Sequence, residues 1–230
     1  MYELYIGNKN YSSWSLRPWV LMRTRGISFS EKLMPFAEGS NYERFRHFSP
    51  TGRVPCLVDG DFTVWDSLAI AEYLAERHAG VWPDDARARA WARCAAAEMH
   101  SGFPALRNQC SMNCGTRVRM RGIDDALRIE IARLSEMWRQ GVERHGGPLL
   151  AGADFTAVDA FYAPVAFRAQ TYALPLDESA QQYVNRLLEL PAMVEWYDAS
   201  LRETWRESSH EAELAQAGEV WADHRSVASA

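Results

Sequence analysis

The sequence predicts an α/β unit of about 80 residues followed by an all-helical unit. Three observations carry this. Short β-rich runs alternate with helically spaced apolar residues as far as Arg77. The stretch 79–85, Ala-Gly-Val-Trp-Pro-Asp-Asp, breaks that pattern and reads as a linker. Beyond it the spacing is helical almost to the end.

In order, Tyr2 to Ile6 is a short β-rich run that stops at Gly7. From Ser15 to Arg25, Leu16, Trp19, Val20 and Arg23 fall at helical spacing, with Pro18 expected in the first turn and Gly26 closing the helix. Residues 27–34 read as a second strand and 41–48 as a short helix before the Ser49-Pro50-Thr51-Gly52 turn. Two β-rich runs, 55–58 and 62–65, flank Asp59-Gly60-Asp61 as a hairpin, and a helix follows over 67–77. The order β-α-β-α-β-β-α implies a right-handed crossover between the first two strands. The second unit reads as helices over 86–110 (broken near Gly102 and Pro104), 123–144, 157–172, 179–189 and 191–203. The tail after Trp205 is polar and Ala-rich, with partial helix expected. Thr156-Ala157-Val158-Asp159 is a capping box with Asp in the Glu position, a structural element.

Composition narrows the function classes. The chain has 230 residues, 47% apolar and 24% charged, with a net charge of -5. That leaves no basic footprint for nucleic acid. No apolar run reaches the roughly 18 residues a membrane span needs, and the first residues lack a signal peptide's basic flank, so a cytoplasmic location is expected. Cys56, Cys94, Cys110 and Cys114 are expected as free thiols there. Cys110 and Cys114 are four apart, but no second Cys/His pair accompanies them at zinc-like spacing, so no metal is expected.

Four stretches concentrate the chemistry: Asn10-Tyr11-Ser12-Ser13-Trp14-Ser15-Leu16-Arg17-Pro18, Gly52-Arg53-Val54-Pro55-Cys56-Leu57, the run from Val64 through Asp66-Ser67 to Leu74, and Leu149 to Asp159. A strand that opens on Pro55 suits an edge or a cis turn, and a cis bond would turn the Val54 N–H and C=O outward to pair with an extended peptide. Asp66 and Ser67 stand at a helix start, where either caps the helix and the free N–H groups attract a carboxylate. Ser12 and Ser13 precede another helix. Capping alone accounts for a serine there, but a hydroxyl beside a helix N-terminus also stabilises a thiolate.

In order and approximate spacing, these stretches resemble the soluble glutathione transferase superfamily over about residues 2 to 200. Ser12-Ser13-Trp14-Ser15 looks like the Ser-Ser-Cys-Ser segment of the zeta class, with tryptophan in the cysteine position. The resemblance implies a thioredoxin-like glutathione-binding domain over 1–80 and an all-α domain over 86–230 that carries the electrophile pocket. It implies a homodimer that uses glutathione as co-substrate, with no tightly bound cofactor, and conjugates it to a small, apolar electrophile in detoxification. Ser12 is the expected thiol contact, then Ser13, then Tyr11; Arg53, Val54, Pro55, Asp66 and Ser67 are expected to bind glutathione. Tyr11, Trp14, Met99, Phe103, Leu106 and Arg107 are candidates for the second-substrate pocket, the last four as an apolar wall with one cation. His100 reads as a packed or surface histidine, and Arg117, Arg119 and Arg121 as a solvated basic edge. Trp14 sets conjugation ahead of redox exchange or isomerisation. Competing readings are a glutathione-dependent isomerase, dehalogenase or ether-cleaving enzyme on the same scaffold, and a non-catalytic binding protein.

Overall fold

Local signals in the first 75 residues build a four-stranded sheet with helices packed on it. A computed structural model describes residues 1–226; the last four residues of the expected helical domain, 227–230, lie outside the described residues. β1 (Tyr2–Ile6), α1 (Ser13–Thr24) and β2 (Phe29–Leu33) form a parallel crossover unit. α2 (Tyr42–Arg46) leads to the antiparallel hairpin of β3 (Cys56–Asp59) and β4 (Phe62–Trp65), and α3 (Ser67–Ala75) follows at once. The strand order is β2-β1-β3-β4, the thioredoxin-like arrangement expected. Leu4, Ile6 and Leu57 from the sheet meet Leu16, Trp19 and Val20 of α1 and Ile70 and Leu74 of α3 in a buried core.

The turn chemistry explains the boundaries. Gly26 takes φ +66 just past α1, where the Gly26 N–H bonds to the Arg23 carbonyl and the Ile27 N–H to the Met22 carbonyl. α1 itself begins at Ser13, earlier than the sequence suggests, because Ser12 already takes the N-cap position. Pro18 therefore sits in the second turn and not the first, and the Trp14 carbonyl loses its usual i+4 donor.

The helical part comprises α4 (Ala86–Ser101), α5 (Pro104–Gln109), α6 (Asp125–His145), α7 (Ala157–Tyr172), α8 (Glu178–Leu188), α9 (Pro191–Arg202) and α10 (Ser208–Ala217). Asp85 caps α4 by accepting from the Arg87 and Ala88 N–H groups. The break at Gly102 falls where proline and glycine place it. α7 is buried around nearly its whole circumference and packs on α1 and α4. The capping box at its start is complete: Asp159 accepts from the Thr156 N–H at 3.0 Å, and from the Leu150 N–H and the Tyr183 hydroxyl, both at 3.0 Å.

Two elements depart from the sequence reading. Residues 116–120 form β5 (Thr116–Met120), and the tail ends in β6 (Gly218–Asp223); the two pair as a separate antiparallel sheet. Arg117 and Arg119 thus stand on a strand, with exposed Arg119 paired to Glu219. Their alternation with Val118 and Met120 was a period-two signal.

Candidate active site

The loop between β1 and α1 is held from behind by the helical part. The Glu203 carboxylate accepts from the Lys9 and Asn10 N–H groups at 2.6 and 3.2 Å. The Asn10 amide donates to the Ser200 carbonyl at 2.6 Å, and the Trp196 indole N–H to the Lys9 carbonyl at 2.9 Å. These buried bonds fix the chain path that delivers residues 11–13 to the surface of a cleft.

That cleft has two adjoining chambers. The wide one, about 560 Å³, is lined among others by Tyr11, Ser12, Ser13, Arg107, Arg168 and His210. The deep one, about 250 Å³, is lined by Pro55, Trp65, Asp66 and Ser67 among others. Trp14, Arg53 and Val54 line both. The Val54-Pro55 bond is cis, and strand pairing begins only at Cys56, so Val54 stands outside the ladder.

In the deep chamber Asp66 and Ser67 are both engaged. Asp66 adopts φ +74, unusual for a residue with a side chain, and caps α3 by accepting from the Leu68 and Ala69 N–H groups at 2.7 and 3.5 Å. Its other oxygen lies 3.4 Å from His100 Nε2. Burial holds the His100 pKa below its ordinary value, with Asp66 opposing and Arg17 and Arg107 adding to the effect. Ser67, the first residue of α3, accepts from Arg17 Nη1 at 3.3 Å. Arg17 is fully buried on α1, its guanidinium 4.2 Å from the Trp14 ring and 4.7 Å from that of Phe161.

The three candidate hydroxyls differ in what they have left to give. Tyr11 is buried and donates to Glu211 at 2.7 Å; burial first, then that carboxylate, push its pKa up. Ser12 donates inward to Ser15 Oγ at 2.7 Å, and Ser15 Oγ also accepts from the Gly7 N–H at 3.1 Å. Ser13 lines the cleft, and its hydroxyl has no hydrogen-bond partner among the described residues.

The expected apolar wall is rearranged. Met99, Phe103 and Leu106 are buried in the core and do not line the cleft; only Arg107 of that group does. The cause is the helix break. Phe103 takes φ +59 between α4 and α5, and Arg107 folds back over the gap, donating from Nε to the Gly102 carbonyl at 3.0 Å and from Nη2 to the Met99 carbonyl. The Arg107 guanidinium lies 4.7 Å from the Trp14 ring, so Trp14 supports two arginines. The opposite wall comes from the tail: His210 of α10 stacks on Tyr11 at 4.8 Å and on Phe36 at 5.6 Å, and Glu211 pairs with Arg225. Ser208 Oγ reaches Glu38 at 2.5 Å and ties α10 to the loop after β2.

Arg17, Arg168 and the α10 wall are site features that motif reading missed. A lone arginine in the otherwise apolar turn Val165-Ala166-Phe167-Arg168-Ala169 was the signal for one of them. Among the described residues, no three His, Cys, Asp or Glu side chains are grouped to hold a metal. No described helix is long and apolar enough to cross a membrane.

Residues 11–77 match the family model for the glutathione S-transferase N-terminal domain. The fold is also that of a crystal structure of a glutathione transferase homologue from Burkholderia with bound glutathione, at TM-score 0.65 and 24% identity, covering 86% of this chain and 97% of that one. The chain is thus similar to members of the soluble glutathione transferase superfamily, with the family's N-terminal domain matched over residues 11–77. Within it, a probable maleylacetoacetate isomerase of Caenorhabditis elegans is 24% identical over 206 residues, 83% of this chain and 90% of that relative. A dichloromethane dehalogenase of Methylophilus leisingeri is 44% identical over 59 residues, which span 25% of this chain and only 22% of the dehalogenase. In this chain the deep chamber belongs to the sheet side, and the wide one opens between sheet side and helices.

Proposed function

We propose that this chain is a glutathione transferase that holds the glutathione thiol as thiolate at the N-terminus of α1 and directs it at an electrophile in the wide chamber. One observation carries the reading: Ser12-Ser13, Val54-Pro55 and Asp66-Ser67, far apart in sequence, line one continuous cleft. Each matches one part of a γ-glutamyl tripeptide. At the α3 N-terminus the Ser67 N–H and hydroxyl offer donors to the γ-glutamyl carboxylate, and Asp66 offers an anion to the amino group. Val54, outside the ladder, offers backbone pairing to the peptide. The α1 N-terminus and a serine hydroxyl face the thiol.

The energetics suit the task. A free thiol has a pKa of about 8.5, and lowering it by about two units needs roughly 2.7 kcal/mol. One charge-assisted hydrogen bond plus a helix N-terminus supplies most of that. We assign the direct bond to Ser13, whose hydroxyl is free, and give Ser12 the supporting position through Ser15. Tyr11 commits its proton to Glu211. The thiolate then attacks the electrophile, forming a C–S bond while the leaving group departs with its electron pair.

The dehalogenase and isomerase among the relatives favour one second reading, halide displacement or isomerisation by the same thiolate. Retention on immobilised glutathione, followed by calorimetric titration with glutathione, tests the shared premise. Saturable binding to wild type and at least about tenfold weaker binding to Ser67→Ala are expected. Absence of binding to wild type removes both readings and leaves a non-catalytic relative of the family.

A further inference from the structure

The wide chamber is not the apolar pocket that a neutral electrophile needs. Its lining holds three arginines, Arg53, Arg107 and Arg168, against one glutamate, Glu213. Arg168 is the informative one. It is 4% exposed, projects from the buried helix α7, and donates from Nε to the Cys110 carbonyl at 2.7 Å. That bond pins one edge of the guanidinium, and Nη1 has no partner among the described residues. No carboxylate pairs with Arg168 among the described salt bridges. Glu130 is occupied, accepting from the Ala105 and Leu106 N–H groups at 3.1 and 2.7 Å, and Glu213, the carboxylate in the lining, forms no described salt bridge with Arg168.

Arg107 adds a second cation on the same wall, spread on the Trp14 ring. Burial foremost, and then the charge of Arg107, bring the Arg168 pKa down to about 10. A buried, pinned and unpaired guanidinium is costly for a fold to keep for packing alone. An arginine's planar fork is suited to a carboxylate, which it binds with two parallel hydrogen bonds.

We infer that the electrophile carries a carboxylate, which Arg168 and Arg107 bind while its reactive carbon lies toward Ser13 and its apolar part against Trp14. This rests on the glutathione reading above and deepens it, replacing an apolar acceptor with an anionic, amphipathic one. The chamber's walls agree, with the Trp14, Phe36 and His210 rings beside the cation pair.

Calorimetric titration with two S-substituted glutathiones tests this and keeps the two proposals distinguishable. S-benzylglutathione fills the cleft with a neutral ring, and S-(4-carboxybenzyl)glutathione adds the anion alone. Wild type should bind the carboxylated ligand at least about tenfold more tightly, a gain lost as salt rises. Arg168→Met and Arg107→Met should each bring the ratio of the two Kd values toward one, and Arg168→Lys should keep part of it. Arg107 is less buried, so its variant serves if Arg168→Met fails to fold. Equal or weaker binding of the carboxylated ligand by wild type overturns the inference while the glutathione reading stands. Failure of both ligands to bind overturns the glutathione reading, and this inference with it.

Discussion

The two chambers of the cleft are built on opposite principles. In the deep one, Asp66 and Ser67 are partnered before any ligand arrives: Asp66 with α3 and His100, Ser67 with Arg17 behind it. In the wide one, Arg168 keeps a buried nitrogen, and Ser13 a hydroxyl, without a partner among the described residues. A site whose groups are fixed by their own partners suits one constant ligand, because little must be reordered on binding. A site with uncompensated donors selects by what completes them, because a ligand lacking the matching group leaves them unpaired. On the proposed reading, the constant co-substrate takes the first chamber and the variable one the second.

The largest expected effect lies outside both chambers and separates stability from binding. Asp159 is buried and accepts four hydrogen bonds, from the Leu150 and Thr156 N–H groups and the Thr156 and Tyr183 hydroxyls. Asp159→Ala should cost about 3 kcal/mol or more in urea unfolding, while folded protein at low denaturant keeps its glutathione affinity. Burial outweighs those bonds and raises the Asp159 pKa to about 6 from an ordinary 3.8. The folded state therefore holds a proton that the unfolded chain releases between those values. Asp159's contribution is fully present below about pH 4 and is lost as pH rises through about 6. Unfolding free energies of Asp159→Asn should lack that component of the pH slope; an identical slope in both proteins would refute it.

Within the deep chamber, Asp66 sharpens the comparison because it caps and faces the ligand at once. Asp66→Asn keeps a capping oxygen in a side chain of the same shape at the same positive φ. It should change stability by less than about 0.5 kcal/mol yet weaken glutathione binding about tenfold, since the charge facing the amino group is gone. Equal losses in both would make Asp66 a cap and nothing more. Calorimetry beside thermal unfolding reads the two together.

The smallest effect belongs to the tail. Tyr11→Phe removes the bond to Glu211 that helps hold α10 over the wide chamber. A looser wall should raise KM for the electrophile by about two- to fivefold, the scale of one hydrogen bond, with the bound thiol's pKa unmoved. A raised thiol pKa would instead restore Tyr11 as the donor.

The contrast between the chambers also decides what could be read from sequence. Deep-chamber residues announce themselves because their work is local: Pro55 leads into a strand, and Asp66-Ser67 starts a helix. The wide chamber is assembled from distant pieces. β5 and β6 pair across about a hundred residues, and nothing local marks Gly218 to Asp223 as the partner of Thr116 to Met120. Arg168 was hidden because helical spacing says nothing about facing on a helix buried all round. Met99, Phe103 and Leu106 were placed on the wall for their apolar character, and that same character drew them into the core. Trp14, read as the loss of a cysteine and as a pocket candidate, proves also to be the ring that carries Arg17 and Arg107.

The central claim is that the α1 N-terminus holds glutathione as thiolate, and thiolate absorbance of bound glutathione against pH tests it most directly. Wild type should show a midpoint one to two units below the free thiol's value of about 8.5. Ser13→Ala should return most of that shift, and Ser12→Ala a smaller part. A wild-type midpoint at the free value, with glutathione demonstrably bound, would contradict the account.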